Sequence, residues 1–154
     1  MIIVKSNPRN EKVFQLIQEL DEYQSSLYPA ESNHLDSVET LVQDNVYFVS
    51  AFFEDNPNPI ACGAVKIIEN YGEVKRVYVL PDYRGKGVAK AIMKTLEEHL
   101  VNNEILIAKL ETGIYQEEAI SFYKSLGYKF TLPFGEYKPD PLSVFMEKLL
   151  ATGI

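Results

Sequence analysis

The sequence has few of the features that mark secreted or membrane proteins. Its 154 residues include one cysteine, Cys62, which alone can form neither an internal disulfide nor a zinc cage. We therefore expect a reducing compartment, the cytoplasm, and no metal site. No apolar run approaches the ~20 residues of a membrane-spanning helix. Residues 1–12 turn polar too soon for a secretory signal, so no such signal is expected.

Basic charge is also scarce, but it is unevenly distributed. Fifteen Lys and Arg against 22 Asp and Glu give a net charge of −7, which disfavours binding to nucleic acid in general. Residues 1–65 carry all of this excess, whereas residues 75–94 alone carry +5. Such a cluster indicates an anionic ligand, although lysines on a helix face are often only solvated.

The chain has the length and apolar content of one domain with a core, and we take residues 1–154 as that domain. An initial hairpin followed by alternating strands and helices predicts an α/β (α+β) fold, with a mixed sheet and helices on both faces. Apolar spacing predicts helices over residues 8–27, 86–100 and 117–126, a short helix opened by the capping pair Asp36 and Glu39, and strands over 46–53, 60–68, 73–79, 105–110, 128–132 and 143–149.

One segment carries most of the chemistry: it leads from a strand, through a glycine turn, into a helix. Gly85 and Gly87 permit backbone angles that let successive amide N–H groups converge, and the helix start adds partial positive charge. Arg84 and Lys86 add formal charge. This arrangement suits phosphate oxygens, but two glycines alone also occur in plain structural turns. The P-loop pattern and the complete dinucleotide pattern are both absent.

The segment Val79-x-Pro81-x-x-Arg84-Gly85-x-Gly87-x-Ala89 resembles the acetyl-CoA signature of the GNAT N-acetyltransferase superfamily. The signature core is [Gln/Arg]-x-x-Gly-x-[Gly/Ala]. The resemblance covers roughly residues 60–130, including the Leu-Glu-Thr-Gly block at 110–113. It implies a GNAT-like, mostly antiparallel sheet that splays between its fourth and fifth strands, with the pantetheine arm of CoA in the splay.

The resemblance also implies that acetyl-CoA is the co-substrate and which residues hold it. Gln116 stands where the family often has Asn. The implied cofactor-binding residues are Val77, Tyr78 and Val79 on the strand, Arg84, Gly85, Lys86, Gly87, Val88 and Ala89 around the pyrophosphate, Gln116 at the pantetheine, and Tyr123 near the sulfur.

Acyl transfer to an amine needs a base, a polarised carbonyl and an acid for the leaving thiolate. Glu73 is the candidate base, directly or through a water, because simple alternation places it on one face with Val77 and Val79. Alternatively, Glu73 is only a surface glutamate at the end of a strand. In that case Glu111 is the substitute candidate for the base. Tyr123 is the candidate acid by resemblance, or only a member of an apolar helix stripe. Cys62 lies in a predicted strand and is expected in the core, so we expect direct transfer.

The acidic residues 1–65 cover the region where this family builds its acceptor side, which favours a cationic amine. The expected acceptor is a small-molecule or peptide amine, lined by Tyr28, Ser32, His34 and Glu111. The resemblance also implies a possible homodimer through the C-terminal strands. The alternative function is a catalytically silent module that binds acetyl-CoA as a sensor or interaction domain.

Overall fold

The computed structural model describes residues 1–32 and 37–150. The described chain alternates strands and helices as predicted, with an additional strand at its start. The elements are β1 (Ile2–Lys5), α1 (Glu11–Leu27), α2 (Val38–Leu41), β2 (Val46–Phe52), β3 (Ala61–Ile68), β4 (Tyr71–Val79), α3 (Val88–Asn102), β5 (Ile107–Gly113), α4 (Glu117–Ser125), β6 (Lys129–Thr131) and β7 (Ser143–Leu149).

The strands form one sheet in the order β1-β2-β3-β4-β5-β7-β6. Strands β4 and β5 are parallel, and each other neighbouring pair is antiparallel. The predicted hairpin is β2 and β3, paired in a register that places Val49 opposite Gly63. The predicted mixed, mostly antiparallel sheet is therefore confirmed.

Helices cover both faces of this sheet, as predicted. Helix α3 buries one stripe of apolar side chains, including Ile92, Leu96 and Leu100, against one face. Helix α1 buries Val13 and Ile17 against Phe48 and neighbouring small side chains on the other face. Within residues 1–32 and 37–150, none of the helices has the length and apolar content needed to cross a membrane.

Three helix starts differ from the sequence predictions. Helix α3 starts at Val88 and not at residue 86, because Gly87 is its N-cap. The starts of α1 and α2 differ because other side chains cap them. Helix α1 starts at Glu11 and not at Pro8, since the Asn10 carboxamide accepts the N–H groups of residues 12 and 13. Helix α2 is capped by Ser37, whose hydroxyl accepts the Thr40 N–H at 3.3 Å. Asp36, the predicted cap, lies outside the described residues.

Several strand predictions also need correction. Strand β4 begins at Tyr71 and not at residue 73, so Glu73 lies within the strand and does not open it. Strand β1 was not predicted; it adds an edge by pairing Ile2 with Phe52. Strand β5 begins at Ile107 and not at residue 105, because Ile105 donates its N–H to the Leu100 carbonyl and so ends α3. The strand then continues to Gly113, which places Glu111 inside the sheet.

The sheet opens between β4 and β5. Their pairing is confined to Gly72–Val74 opposite Ala108–Leu110, although β4 continues to Val79. Residues 75–79 therefore pair with β3 alone, and their other edge is open toward β5. The splay expected between the fourth and fifth strands is present.

Candidate active site

An irregularity in β4 decides which side chains reach each face. The register between β3 and β4 shifts between Cys62 and Ala64, and Arg76 has a positive φ of 58°. A bulge of this kind ends the simple alternation of side chains. The expectation that Glu73 shares a face with Val77 and Val79 is therefore wrong.

The charged side chains and the valines of β4 lie on opposite faces of the sheet as a result. Val77 and Val79 pack into the core beneath α3, whereas Glu73 and Lys75 line a cleft on the opposite face. Arg76 also faces that opposite side, because its guanidinium donates to the carboxylate of Asp21 in α1. The valine side chains of β4 thus pack in the core, and the strand's open backbone edge lies at the splay. Its charged side chains Glu73 and Lys75 lie in the cleft.

Glu73 is at the centre of a buried polar cluster. Only 5% of the residue is exposed. Its Oε2 accepts a hydrogen bond from the Tyr137 hydroxyl at 2.6 Å and one from the Lys75 ammonium at 3.0 Å. Burial raises the pKa of Glu73, while the Tyr137 hydrogen bond opposes that rise. A raised pKa suits a carboxylate that accepts protons near neutral pH.

Tyr137 is a site residue that the sequence analysis missed. It lies in the Pro- and Gly-rich connection between β6 and β7, where no periodicity indicates which side chains turn inward. Its ring packs on Phe134 and Phe145, with centroids 5.3 and 5.4 Å away. The sequence shows only that an aromatic residue lies within a turn-rich segment, and this does not indicate that its hydroxyl binds Glu73.

The charged surroundings of Glu73 include Lys75, Glu111 and Lys66, and the Lys66 charge acts to lower the pKa of Glu73. Desolvation lowers the pKa of Lys75 to about 8, and the nearby Glu111 carboxylate opposes that change. Glu111 also raises the pKa of Glu73 by like-charge repulsion. The sequence candidates for base, Glu73 and Glu111, are therefore close enough to interact, and Glu73 is the one that lines the cleft.

The cleft has a volume of about 1120 Å³. Of the predicted acceptor-side residues, Ser32 lines it, and Tyr28 and Glu111 do not; His34 lies outside the described residues. The remaining walls come from the β3–β4 hairpin and from the connection before β7. Charged side chains in the lining are those of Lys66, Glu69, Glu73, Lys75, Glu136, Lys138 and Asp140.

Tyr28 instead joins α1 to the start of α4. Its hydroxyl accepts the Tyr115 N–H at 3.1 Å and donates to Gln116 Oε1 at 3.4 Å. The same Gln116 oxygen accepts the Gly113 N–H at 3.1 Å. A Cβ at position 113 would overlap the Tyr28 ring and hydroxyl. The Gln116 oxygen is thus used within the protein, which leaves its NH₂ group as the part that can serve a ligand.

The glycine turn has a backbone geometry that suits an anionic ligand. Gly85 and Gly87 have φ angles of 77° and 79°, and the space where a Cβ would stand is open at both. Gly87 is the N-cap of the 15-residue α3 and provides no side-chain cap, so the first amides of the helix lack that partner. Such amides and the helix dipole favour an anion.

The two cations of the turn behave differently. Arg84 folds back onto β4, where its Nε donates to the Val79 carbonyl at 2.9 Å and its guanidinium lies 5.6 Å from the Tyr78 ring centroid. Lys86 is exposed beside the turn. Lys86 is therefore the better placed of the two to meet phosphate, and Arg84 fixes the end of the strand.

Tyr123 lies in α4, on the α3 face of the sheet. Its ring is partly buried against the core, with Phe122 and Tyr128 at centroid distances of 5.4 and 5.8 Å. Burial raises the pKa of Tyr123 to about 12, so its phenol stays protonated at neutral pH. Tyr123 therefore combines a packing position with a proton that is available for donation.

Cys62 is a core residue, as predicted. It is fully buried, and its thiol donates to the Arg76 carbonyl at 3.3 Å. Burial raises the pKa of the thiol to about 12. A thiol with such a pKa remains protonated near neutral pH and is a poor nucleophile.

Comparison with known sequences gives a consistent result. The model of the Acetyltransferase (GNAT) family matches residues 12–128. The chain is 41% identical over 150 residues to an IAA acetyltransferase of Azospirillum brasilense, covering 96% of this chain and 97% of that protein. It is 32% identical to the uncharacterized N-acetyltransferase YsnE of Bacillus subtilis, covering 90% and 93% of the two chains.

Solved structures agree with this comparison. The proposed acyl-CoA N-acyltransferase of Klebsiella pneumoniae superimposes with a TM-score of 0.82 at 32% identity, over 97% of both chains. The PaiA N-acetyltransferase of Thermoplasma acidophilum, solved in complex with coenzyme A, has a TM-score of 0.73 at 21% identity and covers 96% of this chain and 98% of its own. The latter likeness shows a shared fold.

Proposed function

Since this chain belongs to the GNAT family of N-acetyltransferases, we propose that it transfers an acetyl group from acetyl-CoA directly to a primary amine of a small molecule or peptide. The arrangement along β4 is the main support. The strand carries a buried carboxylate, Glu73, in an open cleft, then an unpaired edge at residues 75–79, and then leads to the glycine turn at 85–87. Acceptor, thioester and phosphates can thus be held along one element.

The proposed cofactor site uses mostly backbone groups. The open edge of β4 at Val77 and the Val79 N–H can hydrogen-bond the pantetheine arm as an added strand would, while the Val79 carbonyl accepts the Arg84 Nε–H. The amides from Gly85 to Ala89 hold the pyrophosphate, with Lys86 supplying charge. The NH₂ of Gln116 faces the same ligand from α4 in this proposal.

The chemistry assigned to the chain consists of two proton transfers. Acetyl-CoA supplies the acetyl thioester. Glu73 accepts a proton from the acceptor ammonium, directly or through a water, so that the amine nitrogen can form the new C–N bond. Tyr123 donates its phenolic proton to sulfur as the C–S bond breaks, and an N–H near Val79 polarises the carbonyl oxygen. The nitrogen loses its second proton to solvent as the amide forms, and solvent returns a proton to the Tyr123 phenolate. Because Cys62 is buried and protonated, transfer proceeds without an acyl-enzyme.

The name of the Azospirillum brasilense relative, IAA acetyltransferase, supports a small-molecule acceptor over a peptide. We place the reaction in the cytoplasm, where a protein with one buried thiol is kept reduced. Self-association into a homodimer stays a prediction, which sedimentation equilibrium of the purified chain tests.

Thiol release from acetyl-CoA tests the proposed function. The purified chain is assayed with amino acids, simple amines, polyamines, aminoglycosides and peptides, and each product is identified by mass spectrometry. We expect release of one thiol for each N-acetylated product with at least one of these acceptor classes. Acetyl-CoA binding without thiol release on the whole panel would instead support the silent sensor module.

A further inference from the structure

The cleft beside Glu73 contains positive charge that the proposed chemistry does not use. Lys66 lies directly opposite Glu73 on β3, and Lys138 lines the same cleft from the connection before β7. Among the side chains that the structure describes, which leave out those of residues 31, 33–36 and 151–154, no carboxylate lies within 4.0 Å of either ammonium. Lys75, in contrast, already binds Glu73 at 3.0 Å.

The described acidic side chains of the N-terminal region do not balance these lysines. Of residues 1–65, the described side chains that line the cleft are Pro29, Ser32 and Asn45, and these are neutral. Glu19 and Asp21 are turned to β4, where they bind Tyr78 and Arg76. The described acidic residues of α1 therefore do not draw a cationic acceptor into this cleft.

The carboxylates that do line the cleft beside Glu73 occupy its rim. Glu69 and Glu136 are exposed to water, which weakens their effect on a bound ligand. Asp140 accepts the Leu142 N–H at 2.9 Å and so holds its own loop. Among the described residues that line the cleft, Glu73 is thus the buried anion. Lys66 is a half-buried cation that can meet an anionic group, and Lys138 adds a second cation at the exposed rim.

The spacing between these groups suits a short ligand. Directly opposed residues on antiparallel strands have Cβ atoms about 4.5–5.5 Å apart, and Lys66 and Glu73 are such a pair. A molecule whose amine and carboxylate are separated by a few bonds can therefore reach both. The hydrophobic and aromatic residues Ile68, Tyr71 and Tyr137 form part of the adjoining wall.

We propose that the acceptor is an amine that also bears a carboxylate, with Lys66 and Lys138 binding the carboxylate while Glu73 receives the amine. The inference rests on the proposed function, since it assigns the acceptor of that same cleft. The acceptor is then an amino acid and not a purely cationic amine. The apolar wall of the cleft favours an amino acid with an apolar side chain.

Matched acceptor pairs test this assignment. We would measure kcat/KM by thiol release for L-leucine against L-leucinamide and for L-phenylalanine against L-phenylalaninamide, in wild type, Lys66→Gln, Lys138→Gln and the double variant. Loss of a charge-assisted hydrogen bond should lower the acid-to-amide ratio by about tenfold or more in the double variant. The ratio cancels any change in Glu73 basicity, because that change affects both acceptors.

Lys12→Gln is the matched control, since it removes the same charge from an exposed position on α1; its ratio should equal that of wild type. An unchanged ratio in the double variant, or equal use of acids and amides by wild type, overturns the assignment. So does activity confined to polyamines. Absence of thiol release with every acceptor overturns the proposed function. The acceptor assignment is then decided by calorimetry, which compares the affinity of the CoA-saturated chain for L-leucine with its affinity for L-leucinamide.

Discussion

At the residue scale, the activity of Glu73 depends on a partner that the sequence did not identify. The Tyr137 hydroxyl donates to Glu73 Oε2 at 2.6 Å. This bond stabilises the ionised carboxylate, so it lowers a pKa that burial raises. Tyr137 is in this account a positioning residue, because it fixes one carboxylate oxygen and leaves the other for the acceptor.

Tyr137→Phe should therefore move the acidic limb of the pH profile. Loss of the donor raises the pKa of Glu73 further, so kcat/KM should begin to fall at a higher pH than in wild type as the pH is lowered. The measurement is kcat/KM for the best acceptor between pH 5 and 9. Tyr23→Phe, at an exposed position on α1, is the control, and its kcat/KM should fall at the same pH as in wild type. If kcat/KM of Tyr137→Phe also falls at the wild-type pH, Tyr137 does not position Glu73.

At the element scale, β4 shows which features of the site could be predicted. The glycine turn, the splay and the position of Glu73 near the start of the strand follow from the sequence and its resemblance. The bulge at Arg76 does not, because a non-glycine residue with positive φ leaves no pattern in the sequence. Alternation therefore predicted the wrong face for Glu73 relative to Val77 and Val79.

The turn itself can be tested through Gly87. A Cβ there meets open space, but its φ of 79° disfavours any side chain, at a cost of about 1–2 kcal/mol. Gly87→Ala should lower Tm by a few degrees and raise the Kd for CoA several-fold, because the amides at the start of α3 lose their alignment. Calorimetric titration with CoA measures the effect.

Gly127→Ala is the control for that experiment. Gly127 also has a positive φ, of 99°, but it lies after α4 and away from the turn. Its substitution should lower Tm and leave the Kd for CoA unchanged. Equal weakening of CoA binding in both variants would mean that stability, and not the turn, determines affinity.

At the scale of the whole molecule, the acidic N-terminal region has a structural role. Asp21 and Glu19 in α1 bind Arg76 and Tyr78 in β4. The Arg76 side chain is 4% exposed, and burial lowers its pKa to about 10. The sequence showed where the negative charge lies. It did not show that part of this charge attaches α1 to the sheet, because partners 55 and 59 residues apart leave no local pattern.

Asp21→Asn should accordingly destabilise the fold. The buried guanidinium loses a charged acceptor, at a cost of about 1–3 kcal/mol, which corresponds to a Tm decrease of a few degrees or more for a chain of this size. Thermal unfolding followed by circular dichroism measures this. Glu22→Gln changes the neighbouring exposed charge and should shift the free energy of unfolding by less than about 0.5 kcal/mol; equal effects would contradict the role of the Asp21–Arg76 pair.

The central claim is that Glu73 is the base in the cleft beside the splayed strands. Its most direct test is kcat/KM of Glu73→Gln for the best acceptor, with Glu111→Gln and Glu69→Gln measured alongside. We expect kcat/KM to fall by about 10²-fold or more in Glu73→Gln above the pKa of Glu73, with unchanged CoA affinity and much smaller losses in the other two variants. Activity within twofold of wild type in Glu73→Gln, or a larger loss in Glu111→Gln, would contradict it.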